Sequence, residues 1–141
     1  MRVPLNALQN KVVDTLKTDA ASWAVSADIY DEVTENAAFP YVELGVFTDV
    51  ADGSKGLEWT QTSQTFMVHS QARGAKEMNS IVDQVIQSMT AASLRVAITE
   101  DFEIRDNQYE QTQVFKEVDG QGDTFRRADV RIAFMVQDNL T

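Results

Sequence analysis

The stretch TFRRADVRIAFMVQ, residues 124–137, constrains the fold of this chain more than any other. Ala128, Val130, Ile132, Phe134 and Val136 fall on every second position, and Arg127, Asp129, Arg131 and Gln137 fall between them. Side chains alternate across a strand, so this pattern is one long β-strand with a single core-facing side. Part of the chain is therefore committed to a sheet with one buried face, and the remainder has to supply the layer that buries it.

Two helical patterns answer that need. Leu5, Leu8, Val12 and Leu16 recur at steps of three and four over residues 4–17, with Val13 widening the stripe and Pro4 in the first turn. Over residues 73–90, Met78, Val82, Val85 and Met89 repeat in the same way, flanked by Ile81 and Ile86. Between the helices, TDAASWAVSADIY (18–30) reads as a turn, a loop packed by Trp23 and Val25, and a short strand at Ile29–Tyr30. YVELGVFTDV (41–50) alternates. Its spacing puts Val42, Leu44, Val46 and Val50 on one face, with Tyr41, Glu43, Phe47 and Asp49 on the other. WTQTSQTFMVHSQ (59–71) is rich in Thr and aromatics and reads as its partner strand, across a loop at 51–58. LRVAITEDFEIRDN (94–107) reads as a strand bent near Thr99–Asp101, and 108–123 as a polar connection that turns at DGQGD. The order is helix, short strand, strand, strand, helix, strand, strand. Adjacent strands can pair antiparallel while two helices cover one face. The expected fold is α+β: a two-layer sandwich, with a mainly antiparallel sheet, in a single domain spanning 1–141.

Composition excludes several functions. The chain has no cysteine, hence no disulfide and no thiolate metal site, and a single histidine, His69. Any Ser-His-Asp chemistry would rest on that residue, at the end of a Thr-rich strand where a surface or half-buried role is the ordinary one. DGQGD (119–123) lacks the alternate acids and distant bidentate Glu of a calcium loop. DGSKG (52–56) lacks the spacing of a phosphate loop. No catalytic constellation, cofactor site or metal site emerges. No apolar run approaches membrane-spanning length, and the N-terminus lacks the continuous apolar stretch of a signal peptide. The net charge of −10 argues against a nucleic-acid clamp, whose affinity comes from Lys and Arg. It suits a surface that nucleic acid passes without sticking.

FPYVELG (39–45) ties these readings together. Pro40 fixes its own φ and biases Phe39 toward extended backbone, which aims the chain into the strand and lets Phe39 and Tyr41 pack over the core edge. Ile29-Tyr30-Asp31 comes before it. The loop DVADGSKG, a helix beginning around Ala75-Lys76-Glu77, and GDTFRRADVRIAFMV come after. That ordered set, from about Asp28 to Val136, resembles the tail-completion (tail terminator) family of long non-contractile-tailed phages and gene transfer agents. DEVTENAA stands where the family usually has a proline, and 108–123 is long and polar.

The resemblance implies a structural role without catalysis. Family members form a homohexameric ring that caps the tail tube, stops its polymerisation and presents a surface to the head-side connector or stopper. The partners implied are further copies of the chain, the tail tube protein and the connector. DNA travels through the bore unbound, and no membrane is involved. The implied location is the head-proximal end of the virion tail, assembled in the host cytoplasm. At −10 each, six copies bring about −60. The loop acids Asp49, Asp52, Glu58, Glu117, Asp119 and Asp123 are candidates for the bore or for the subunit or tube interface, with Lys55 a further interface candidate; Arg126 and Arg127 read either as partners for an acidic neighbouring subunit or as a solvated strand face. The rival readings are a head-side neck protein and, more remotely, an α+β ligand binder or enzyme built on His69.

Overall fold

A computed structural model describes residues 4–32, 38–51, 58–72, 75–118 and 124–139. Two helices and five strands follow in chain order: α1 (Leu5–Ala20), β1 (Asp28–Tyr30), β2 (Tyr41–Ala51), β3 (Glu58–Ser70), α2 (Lys76–Met89), β4 (Phe102–Val118) and β5 (Thr124–Asp138), with a short 3₁₀ turn at Ala92–Leu94. The expected α+β sandwich is what forms: an open, mostly antiparallel five-stranded sheet with both helices packed into one core.

The sheet order is β1-β2-β3-β5-β4. β5, the most strongly alternating segment, lies between β3 and β4 and pairs antiparallel with both. Its Ala128, Val130, Ile132, Phe134 and Val136 are buried, as the alternation requires. Because β5 separates β3 from β4, those two run in the same direction, and α2 crosses over β5 to connect them. The first pair departs from expectation: β1 and β2 are parallel, with Ile29 opposite Val42.

α1 buries Leu8, Val12 and Leu16, while Leu5, in its first turn, stays exposed. α2 buries Met78, Ile81, Val85 and Met89, and Val82 and Ile86 flank this seam. Burying these side chains together with Phe66 and Phe134 from the sheet drives the two layers together, at about 1.5–3 kcal/mol per large apolar side chain. Trp23 and Val25 pack against the same core. The Val25 backbone finds a partner in the Gln84 side chain: its N–H donates to Oε1 at 3.2 Å and its carbonyl accepts from Nε2 at 3.0 Å.

Two irregularities correct the sequence reading. In β2 a bulge between Leu44 and Phe47 inserts one residue and reverses the facing of everything after it. Val42 and Leu44 are buried, but Val46 and Val50 are exposed, and Phe47 turns to the core in their place. Buried Gln64 pins the bulge, with its Nε2 donating to the carbonyls of Gly45 at 3.2 Å and Thr65 at 2.7 Å. The second correction concerns 108–118, which is not a loop; the turn expected at DGQGD (119–123) lies outside the described residues. β4 continues through Val118, paired residue for residue with β5, with bulges at Arg105 and Glu110. The segment looks unstructured in composition because, as an edge strand, much of it is solvated on both faces.

Candidate assembly surface

One face of the sheet carries the helices, and among the described residues nothing covers the other. A cross-strand row runs over that open face: Tyr41, His69, Arg127 and Phe115, from β2, β3, β5 and β4, stand opposite one another in register. The Tyr41 and His69 rings stack at 4.5 Å. The Arg127 guanidinium lies over the Phe115 ring, 4.5 Å from its centre. Phe39 joins the row by packing on Tyr41 at 5.1 Å and on Phe125 at 5.6 Å. The Phe39–Pro40 peptide is cis, and β2 starts from it. The opening motif therefore packs on the helix-free side of the sheet.

Charges border this row. His69 Nε2 lies 3.0 Å from Glu43 Oε1. Burial pushes the Tyr41 phenol above its usual value, and the Glu43 carboxylate and Tyr30 push it further. Arg127 Nε bonds Asp129 Oδ1 at 3.0 Å, and its Nη1 reaches Glu117 Oε1 at 3.4 Å. Arg131 Nε lies 2.8 Å from Glu110 Oε2, an ion pair held by proximity with the N–H off line. These partly exposed pairs contribute little to stability; they orient a charged surface. Gly45 admits the Met67 side chain across the bulge, since a Cβ there would stand 3.3 Å from Met67 Cγ and Cε.

The nine candidate residues are scattered across this geometry. Asp49 is not in a loop. It sits in β2 on the helix side, half-buried, accepting a 2.6 Å hydrogen bond from the buried Thr62 hydroxyl. Glu117 is a strand residue of β4 paired with Arg127. Glu58 opens β3 opposite Asp138. Arg126 and Arg127 point to opposite faces: Arg126 turns to the helix side, where Nη1 lies 3.4 Å from the Ala72 carbonyl oxygen. Asp52, Lys55, Asp119 and Asp123 lie outside the described residues. Among the described candidates, Glu117 and Arg127 come together. Sequence reasoning overlooked Tyr41 and Glu43 as neighbours of His69, because nothing in the spacing shows that 41 and 69 are cross-strand partners.

Among the described residues, His69 lies against the Tyr41 ring and the Glu43 carboxylate. Among the described residues no group of three or more His, Asp or Glu side chains is placed to hold a metal ion. An open depression of about 740 Å³ lies between the end of α1, β1 and Phe39–Pro40, and His69 is not part of its lining.

The pattern of the family described as tail completion protein gp17 matches residues 10–137. The chain belongs to that family. Its part is thereby a structural one in a phage tail. The fold agrees with a chain from the solved structure "Virion of native gene transfer agent (GTA) particle", at a TM-score of 0.79 and 19% identity, covering 97% of this chain and 99% of that one. No curated protein matches the sequence.

Proposed function

We propose that the chain closes the head-proximal end of the phage tail tube as a ring, stops tube polymerisation and offers part of the joint to the head-side connector. Family membership over residues 10–137 carries this reading. The physical features support it. A ring needs two different surfaces per subunit, and this sheet ends in two different edges, one short-capped and one long. A net charge of −10 per copy lets DNA pass without being held. The partners in this reading are further copies of the chain, the tube protein and the connector.

Deletion of the gene from the producing genome tests it, with particles imaged by negative-stain electron microscopy. Overlong, headless tubes beside DNA-filled heads are the expected outcome. Tails of normal length with heads that leak or fail to attach would move the chain to the head side of the neck. Unchanged, infectious particles would overturn the assembly role.

A further inference from the structure

Resting on the ring reading above, we infer that neighbouring copies join head to tail by β-pairing, the β4 edge of one copy running antiparallel to the β2 edge of the next. Among the described residues both edges are open. Beyond Glu43 no described residue pairs with β2 on its β1 side. On β4, residues 96–99 fold back onto the start of the strand, where Ile104 N–H donates to the Val96 carbonyl. From Arg105 onward no described strand pairs with its outer side. After the Glu110 bulge the edge is regular from Gln111 to Val118 and carries no proline. Such an edge is a template for another strand.

Strand direction decides which strand it takes. β2 and β5 run one way, β3 and β4 the other. A second copy placed alongside in the same orientation thus sets its β2 antiparallel to β4, which uses both edges and repeats until a ring closes.

The side chains agree face by face. On β4, Val114, Lys116 and Val118 stand on the helix side with Ala128 and Arg126, as Phe47 and Asp49 do on β2. In every register that keeps the helix sides together, the joined sheet sets Lys116 on one face with the Asp49 carboxylate and the valines with Phe47. On the open side, Phe115 shares a face with Val50. Val50, Val114 and Val118 are 56, 56 and 64% exposed in the single copy. Cross-strand pairs of this kind contribute about 0.2–1 kcal/mol each, beyond the ladder hydrogen bonds.

The chain has no cysteine, so an introduced pair reports one contact. Thr48→Cys is combined in turn with Gln111→Cys, Gln113→Cys and Glu117→Cys, all exposed and on the open side. Tails purified from producing cells are oxidised and run on a denaturing, non-reducing gel. One combination is expected to convert the monomer band into a ladder of cross-linked copies. Thr48→Cys with Thr112→Cys or Lys116→Cys, on the other side, is expected to leave it unchanged. A chain present in tails with no ladder from any open-side pair overturns the edge pairing and leaves the ring reading standing. Dimers from a single-cysteine variant, or a cross-link to a different protein, also overturn it. Absence of the unaltered chain from tails overturns both.

Discussion

His69 shows how a lone titratable residue is interpreted by its contacts. Its ring lies on Tyr41 and its Nε2 meets Glu43, contacts that hold two strands together. His69→Ala is therefore expected to cost about 1 kcal/mol of stability and to leave tail length and infectivity unchanged. Electron microscopy and titre of the variant check this, and a titre loss above about tenfold in a folded variant would point back to chemistry. Tyr41 carries a pH dependence on the alkaline side. Its folded pKa lies above the unfolded value, so the folded state is favoured while the phenol is protonated. That stability is complete below the unfolded pKa of about 10 and is lost as pH rises through the folded one. Tyr41→Phe is expected to flatten the fall in urea midpoint between about pH 9 and pH 11.

At the scale of the element, bulges govern which side chains point where. β2 reads as a uniformly alternating strand, and the residue inserted between Leu44 and Phe47 reverses its second half. In β4, buried Asn107 follows the Arg105 bulge. Its Nδ2 donates to the carbonyls of Met89 at 2.8 Å and Ala91 at 3.0 Å, and its Oδ1 accepts from Arg95 Nε at 2.8 Å. It thereby satisfies the end of α2, whose last carbonyls lack helical partners. Asn107→Ala leaves those groups buried and unpaired, and is expected to cost about 2–3 kcal/mol. Thermal unfolding of the variant should show a midpoint lower by about 4–12 °C.

At the scale of the molecule, one core built from both helices and all five strands makes the chain cooperative. Phe66, fully buried between the layers, is expected to cost about 3–5 kcal/mol on replacement by Ala, read from the denaturant midpoint at unchanged slope. The charge acts on assembly. At −10 per copy, free chains repel one another, and salt screens that repulsion. Self-association measured by sedimentation is expected to be stronger at about 500 mM than at about 50 mM salt. An assembly held mainly by intersubunit ion pairs would show the reverse order.

By itself, the sequence determined the parts whose signal is local. The period-two pattern of 124–137 and the three-and-four steps of both helices fixed the type of those three elements and most of the apolar side chains they bury, because each reports which side of one segment meets oil. It also marked the family, through an ordered series of short motifs. Tertiary structure alone decided the parts that depend on partners far along the chain. Those are the insertion of β5 between β3 and β4, the parallel pairing of β1, and the bulge that moved Val46 and Val50 to solvent. The strand character of 108–118 belongs with them, since a polar edge strand has no buried face to leave a period and takes its structure from the ladder of its neighbour.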